Sequence, residues 1–423
     1  MAAHLSQILD ALTSFAFYYP LFMAYLWMIG AIYYYFHWER NTGQRVDEPP
    51  VLPEYPGVSF LVPCHNEGED IEETIEHLLQ QKYPEFEIIA INDGSKDNTG
   101  AILDRLAEKH PKLRIIHLAT NQGKAMALRT GAIASKYEFL VCIDGDALLD
   151  EHATPWLIQH FVYGPRVGAV TGNPRVRTRS TLLGKIQVGE FSAIVGMIKR
   201  AQRIYGRIFT VSGVVSAFRK SALHRIGYWS LDTVTDDIDI SWNLQLNRWD
   251  IRFEPNALCW ILMPETMRGL SRQRLRWAQG GMEAFLRYLP NAFSWRSRRM
   301  WMVYLEFITS VVWAYLMITI LTIWVAGLFI ELPPELQRFA NVKPNWNGVV
   351  LGITCMLQFA VALMIDRRFE RGIGKIYYWM IWYPVMYWVL NVFTCALAAP
   401  RAVLRRLGHN TRGTWVSPDR GIR

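Results

Sequence analysis

A chain of 423 residues is long enough for a soluble domain with a full core and further segments besides. Its 17 Trp, 19 Tyr and 20 Phe point to a membrane interface. The net charge of +8 gathers beside apolar runs, at Arg296, Arg298 and Arg299 and again at Arg401, Arg405 and Arg406, which favours a membrane flank over a nucleic-acid partner. The five cysteines, Cys64, Cys142, Cys259, Cys355 and Cys395, are widely scattered without a Cys-x-x-Cys pair, so they signal neither a disulfide framework nor a structural zinc site; reduced, mostly buried thiols are expected.

In chain order, the first feature is an uncharged, aromatic-rich run from Phe15 to Phe36, about long enough to cross a bilayer. No Lys or Arg precedes it and Arg40 and Arg45 follow, which predicts an amino terminus outside and the next segment in the cytoplasm. The missing basic n-region argues against a cleaved signal peptide. Residues 1–48 are therefore expected to be an anchor, closed by a linker carrying Pro49, Pro50, Pro53 and Pro56.

From Val58 the pattern changes to short apolar runs alternating with amphipathic stretches such as Ile71 to Gln81. Val58 to Val62, Phe86 to Ile91, Leu113 to Leu118 and Phe139 to Ile143 read as strands of a mostly parallel, doubly wound α/β sheet within a cytoplasmic domain over 56–290. Ligands of such sheets bind beyond the carboxyl ends of the strands. There lie Pro63-Cys64-His65-Asn66-Glu67, Asn92-Asp93-Gly94-Ser95, Asn121-Gln122-Gly123-Lys124 and Asp144-Gly145-Asp146. Two carboxylates flanking one glycine suit a divalent cation bound to phosphates, although a polar turn capping a core strand would read the same. Two nucleotide devices are excluded: a P-loop would need glycine at Leu118 and Ser or Thr at Ala125, and no Gly-x-Gly-x-x-Gly opens the first helix. An EF-hand loop fails at Leu148 and Leu149.

Further along come Ser212 to Arg219, Thr235-Asp236-Asp237-Ile238-Asp239, and a helix expected over about 270–290. On its projection Leu275, Ala278, Met282, Phe285, Leu286 and Leu289 share one face, while Gln273 and Trp277 share the other with Arg276 beside them. The apolar stripe suits protein or the membrane interface equally; the other face offers an amide, a guanidinium and an indole. Residues 301–400 then hold apolar stretches at Met302 to Ile330, Val349 to Ile365 and Tyr377 to Ala399, before a basic tail over 401–423. Three spans after an internal Arg296 to Arg299 would leave Arg401 to Arg412 outside, against the positive-inside rule, unless the stretch broken by Pro384 is not a simple span.

The ordered set Asn92-Asp93-Gly94-Ser95, Asp144-Gly145-Asp146, Thr235-Asp236-Asp237 and Gln273-x-x-Arg276-Trp277 resembles the signature of processive family 2 glycosyltransferases. Within that family, residues 144–150, 170–175, 261–266 and 415–421 resemble the branch that makes poly-β-1,6-N-acetylglucosamine, a biofilm exopolysaccharide; the likeness spans nearly the whole chain. It implies a GT-A fold and inverting transfer from UDP-N-acetylglucosamine to the 6-hydroxyl of a growing polymer. It also implies residue roles. Asp237 would be the base; Glu67, Asp93 and Lys124 would hold the uridine end; Asp144 would reach nucleotide and metal, and Asp146 would ligate Mg2+ or Mn2+. Gln273 and Arg276 would meet the pyrophosphate, Trp277 would stack under the acceptor sugar, and Ser212 and Gly213 would line the acceptor site. Asp236 departs from the family's usual Glu, and one clear amino-terminal span stands where relatives can have two.

The same resemblance implies a multi-pass protein of the bacterial inner membrane that aids passage of its polymer across the bilayer. A small membrane partner and activation by cyclic di-GMP are further implications, and with no receptor module identifiable in this chain the regulation is expected at the partner interface. A related synthase of hyaluronan, chitin-like oligomers or cellulose would share the motifs. A non-catalytic polysaccharide channel would let the acidic motifs decay, and all are intact; a dolichol-phosphate mannose synthase would lack Gln-x-x-Arg-Trp.

Overall fold

The computed structural model describes residues 2–40, 45–334, 336–337 and 346–407. Arg412 and the 415–421 motif lie outside them. Helix α1 (Ala2–Tyr34) contains most of the expected first span and runs on through a wider-wound turn, Tyr35–Glu39. After the proline linker, strands β1 (Val58–Cys64), β2 (Phe86–Asp93), β3 (Leu113–Leu118) and β4 (Phe139–Ile143) alternate with α2 (Ile71–Leu79), α3 (Thr99–Lys109) and α4 (Lys124–Ala134). β1, β2 and β4 are buried at every position, as their mostly apolar runs require when helices cover both faces, and two polar exceptions within them, Ser59 and Glu87, bond each other at 2.7 Å.

The chain continues through β5 (Leu148–Leu149), α5 (Ala153–Val162), β6 (Val167–Val176), α6 (Leu182–Phe191), a wide-wound stretch Ser192–Ile198 and α7 (Lys199–Tyr205). Then follow β7 (Val215–Arg219), α8 (Lys220–Ile226), α9 (Asp236–Leu246), β8 (Asp250–Ile261) and α10 (Met267–Ala292). The eight strands form one sheet in the order β3-β2-β1-β4-β7-β6-β8-β5. It is parallel from β3 to β4, but β7 runs antiparallel to both β4 and β6, and β5 antiparallel to β8. The mostly parallel expectation thus holds for the first half, and the second half is mixed. The reversal matters for the site: Ile143 at the end of β4 pairs with Val215 at the start of β7, so the Ser212-Gly213 turn emerges at the edge where β4 releases Asp144.

Among the described residues four helices are long and apolar enough to cross a membrane: Gln7–Glu39, Trp295–Ala326, Trp346–Asp366 and Pro384–Leu407. The second and third contain α11 (Trp301–Ala326) and α12 (Trp346–Asp366). The single stretch expected over Tyr377 to Ala399 is divided. A 3-10 helix, Ile373–Trp382, precedes Pro384, and a wide turn then leads into α13 (Val389–Leu407). Proline has no N–H for the ladder, so the break falls where the sequence puts it. Both ends of the resulting helix are tied to α10: the Arg274 guanidinium lies 5.9 Å from the Tyr387 ring, and Arg405 donates to Glu283 at 2.9 and 3.0 Å.

A buried charge network joins the apolar helices to the sheet domain. Arg200 is fully buried and donates to Glu39 (2.7 Å) and to Asp366 (3.2 Å); Arg175 of β6 donates to the other Asp366 oxygen at 2.6 Å. The ends of α1 and α12 are thereby held against α7 and β6. Charges removed from water persist only when paired in this way.

Candidate active site

The Asp144-Gly145-Asp146 turn is fixed from two sides. Thr74 of α2 donates to the Gly145 carbonyl at 3.0 Å, and a Cβ on Gly145 would meet the Glu67 side chain at 3.1 Å, so the first and fourth strand ends are in contact. Lys124 opens α4 and ion-pairs with Asp144 while donating to the Gly213 carbonyl at 2.9 Å. Just before it Gly123 has φ +91°, a conformation that favours glycine, and this aims Lys124 at the sheet edge. Asp93 is fully buried; its two carboxylate oxygens accept from the backbone N–H groups of Gln122 and Gly123, each at 2.8 Å. Asp93 therefore shapes the Asn121–Lys124 turn, and His65 supports it by bonding the Asp93 carbonyl at 2.8 Å through Nδ1 and the Asn121 amide at 3.1 Å through Nε2.

The acidic groups perturb one another. Burial raises the Asp144 carboxyl, Lys124 opposes the rise, and Asp146 and Asp236 add to it. Burial likewise works against the ammonium of Lys124, but Asp144, Asp236 and Asp237 outweigh it and hold Lys124 above the usual lysine range. Asp237 is pushed up to about 6, first by burial and then by Asp236, against Lys124 and Arg276. Its Oδ2 would lie 3.2 Å from a Cβ on Gly213, which brings the α9 carboxylate to the Ser212-Gly213 turn. Asp239, three residues further from Asp236, is turned away: it accepts from Ser230 (2.6 Å) and Tyr288 (3.1 Å) and pairs with Arg287 at 3.3 Å.

No cluster of three or more His, Cys, Asp or Glu side chains fit to hold a metal occurs among the described residues. Two carboxylates on one turn, whose charges repel and which lie beside a third acidic residue, nevertheless fit a hard cation of the Mg2+ type. Such ions are held by one or two carboxylates together with substrate phosphates rather than by an all-protein cage.

Helix α10 starts at Thr266, whose side chain accepts from Gly269 N at 3.1 Å. Its stripe faces protein: Met282 and Phe285 pack with Ile238 and Trp242 of α9, Val303 and Tyr304 of α11 and Ala402 of α13. Leu286 and Leu289 lie at the margin of that cluster, and Leu275 and Ala278, expected on the same stripe, are outside it. On the other side Arg276 is exposed and acts on Asp237, while Gln273 is half-buried with its Oε1 unbonded. Trp277 lies over the guanidinium of Arg274 at 4.3 Å, and buried Arg274 pairs with buried Glu190 of α6 at 2.5 Å.

Glu67, Lys124, Asp144 and Asp237 bring their side chains to this sheet edge beside the Ser212-Gly213 turn, Asp146 follows Asp144 on the same turn, and Gln273, Arg276 and Trp277 lie on α10; Asp93 spends its carboxylate on backbone. Sequence reasoning missed the buried residues behind them, Glu190, Arg274, Lys199 and Thr171. Arg274 falls between the positions singled out in its helix, Thr171 lies in the 170–175 stretch noted only for its resemblance, and Lys199 stands beside Arg200 at the end of the mostly apolar run 191–198, where a pair of cations could have drawn notice.

The pattern of the family described as Glycosyltransferase like family 2 matches residues 56–280. The poly-beta-1,6-N-acetyl-D-glucosamine synthase of Staphylococcus epidermidis is 39% identical over 415 residues, covering 96% of this chain and 98% of the relative. The protein of that name from Staphylococcus aureus strain COL is 38% identical over 408 residues, with the same coverage of 96% and 98%. Among solved structures, the mannosyltransferase PcManGT from Pyrobaculum calidifontis, in complex with GDP-Man and Mn2+, superposes with a TM-score of 0.62 at 21% identity, over 92% of this chain and 99% of that one. That likeness concerns the fold, which is GT-A.

Proposed function

The chain belongs to the glycosyltransferase-like family 2, and from that premise we propose that it polymerises N-acetylglucosamine from UDP-N-acetylglucosamine into a β-1,6-linked chain. The observation that carries the reading is the convergence of Asp144, Lys124 and Asp237 on one sheet edge, beside Ser212-Gly213 and under the Arg276–Trp277 face of α10.

An α-linked donor becomes a β-linked product by one in-line displacement. The acceptor 6-hydroxyl oxygen bonds to the anomeric carbon as the bond to the UDP oxygen breaks, and the hydroxyl proton passes to the Asp237 carboxylate. Arg276 and Lys124, the two cations that act on Asp237, would offset the negative charge developing on the departing diphosphate, with the half-buried amide of Gln273 as a further donor. Glu67 and the turn shaped by Asp93 would receive the uridine end. Trp277 offers its indole face to the terminal acceptor sugar, with Ser212 and Gly213 as the floor. Asp144 and Asp146 would hold Mg2+ or Mn2+, whose charge would offset that of the diphosphate.

A cavity of about 340 Å³ between α1, α11, α12 and the Pro384–Leu407 helix is lined by Trp27, Trp313, Trp388, Gln358 and Asn391, an aromatic and amide chemistry suited to sugar. It supports a role in moving the polymer through the bacterial inner membrane, with the sheet domain on the cytoplasmic side. A small membrane partner and cyclic di-GMP activation complete the reading, tested by adding that nucleotide to membranes with and without the partner.

The deciding experiment incubates membranes containing the protein and its partner with separately radiolabelled UDP-sugars and digests the product with linkage-specific hydrolases. Label from UDP-N-acetylglucosamine in a product cut by a β-1,6-N-acetylglucosaminidase is expected. Comparable incorporation from UDP-glucose or UDP-glucuronate would move the chain to a cellulose or hyaluronan chemistry.

A further inference from the structure

Behind the site, and outside the machinery described so far, lies Lys199, the first residue of α7. Its amine is buried, and among the described residues it makes one hydrogen bond, to Thr171 Oγ1 of β6 at 3.0 Å. The same oxygen accepts from the backbone N–H of Ser212 at 2.8 Å, so lysine and turn are joined through one hydroxyl. Thr171 Oγ1 thus spends its acceptor capacity on these two donors. The residue after Ser212 is Gly213, the one against which the Asp237 carboxylate lies. Lys199 in turn feels the negative charge of Asp237.

We propose that Lys199 is a positioning residue for sugar transfer: through Thr171 it fixes the Ser212-Gly213 turn beneath Asp237, and its ammonium contributes to the positive field that keeps Asp237 ionised. The inference rests on the reading of Asp237 as the base. The charged groups acting on Asp237 are Asp236 on its own helix, Lys124 of α4, Arg276 of α10 and Lys199 of α7. The other α7 cations are turned elsewhere, Arg200 to Glu39 and Asp366 and Arg203 to the Ile251 carbonyl. Burial pulls Lys199 down to about 7, with Asp237 resisting, so the amine is mostly charged across the acidic range in which Asp237 titrates. A buried lysine is costly to keep charged, and a purely apolar packing role would be filled at less cost by methionine or leucine.

The test uses the full chain in membranes with its partner, reading UDP affinity and single-turnover transfer to an N-acetylglucosamine oligomer as a function of pH. Lys199→Met keeps much of the volume and removes the charge. It is expected to leave UDP affinity within about twofold and to move the acidic limb of the pH–rate profile upward by roughly half a unit to one unit, because an ionised carboxylate loses a cation. Thr171→Val keeps the ammonium and breaks the clamp; it should lower the plateau rate about 10-fold while leaving the limb nearer its wild-type position. A Lys199→Met enzyme with an unmoved limb, or a Thr171→Val enzyme with wild-type rate, would overturn the proposal. Should Lys199→Met fail to fold, the Thr171→Val rate alone decides the clamp. An active Asp237→Asn enzyme would instead sink the base assignment and with it the field half of the proposal, leaving the Thr171→Val result to judge the clamp.

Discussion

Gly280 of α10 lies directly on Thr235 of the Thr235-Asp236-Asp237 segment: a Cβ built on Gly280 would stand 1.9 Å from Thr235 Oγ1 and 2.6 Å from its Cβ. The helix that carries Gln273, Arg276 and Trp277 therefore seats on the segment that carries Asp237 by means of a missing side chain. Gly280→Ala should push the two apart and lower transfer at least about 10-fold, since small misplacements near reacting groups are expensive. Thr235→Ala in the same chain should recover part of the loss. Strict additivity of the two rate effects in a double-mutant cycle would show that this contact does not set the geometry.

Among the acidic side chains of α9 one should be indispensable for proton transfer. Asp237→Asn retains shape but cannot act as a carboxylate base, so a loss of about 10²- to 10⁴-fold in single-turnover transfer is expected with UDP binding largely kept. Asp146→Asn should weaken metal-dependent nucleotide binding together with turnover. Asp236→Asn should keep more activity than Asp237→Asn. Asp239→Asn should act on stability, because Ser230, Tyr288 and Arg287 depend on its charge. A dead, nucleotide-binding Asp239→Asn beside an active Asp237→Asn would reverse the assignment.

The pH dependence follows from the same carboxylate. Asp237 is pushed up to about 6, chiefly by burial and next by Asp236. A base works in its ionised form, so transfer should be steady above about pH 7 and fall as pH drops through about 6. An ordinary aspartate would hold activity to about pH 4. A pH–rate profile at saturating donor, with UDP affinity measured in parallel, checks the position of the limb.

On the proposed acceptor role of Trp277, acceptor binding and donor binding should separate at this residue. Trp277→Ala should impair chain extension far more than equilibrium UDP binding, with a stacking loss of about 1 kcal/mol or more, and Trp277→Phe should restore part of it. Glu190→Gln leaves the indole intact but weakens the Arg274 guanidinium on which it rests. It is expected to shift acceptor affinity in the same direction by a smaller factor. Equal losses of UDP binding and extension in Trp277→Ala would assign the indole to packing.

The path of α13 predicts a topology. With Tyr387 beside Arg274 and Arg405 paired to Glu283, both ends of the Pro384–Leu407 helix lie on α10, so the basic residues after it should share a side of the membrane with Arg296 to Arg299. That outcome agrees with the positive-inside rule. Single cysteines at positions 297 and 406, probed with a membrane-impermeant thiol reagent in sealed vesicles, should label from the same side. Labelling from opposite sides would mean a full crossing.

The sequence alone determined the first half of the sheet, because β1 to β4 are short, mostly apolar runs bounded by polar turns, with β1, β2 and β4 buried throughout and β3 at the edge half-exposed, a pattern that local composition records. It also located the polar turns after those strands, with carboxylates at Asp93, Asp144 and Asp146; local composition reads these equally as turn caps, and only their order with Thr235 to Asp237 and Gln273 to Trp277 carried the resemblance. The mixed second half was not legible: whether β7 runs with or against β4 depends on how α6 and α7 carry the chain between, a long-range matter that alternation does not encode. Nor could the pattern of α10 say that its stripe meets α9, α11 and α13 rather than lipid, because both surfaces are equally apolar. Only the tertiary structure turned Asp93 to backbone and Asp239 to Arg287 while leaving Asp237 at the glycine turn. It alone joined Lys199, Thr171 and Ser212, residues far apart in sequence, because burial makes each polar group find the partner that packing brings to it.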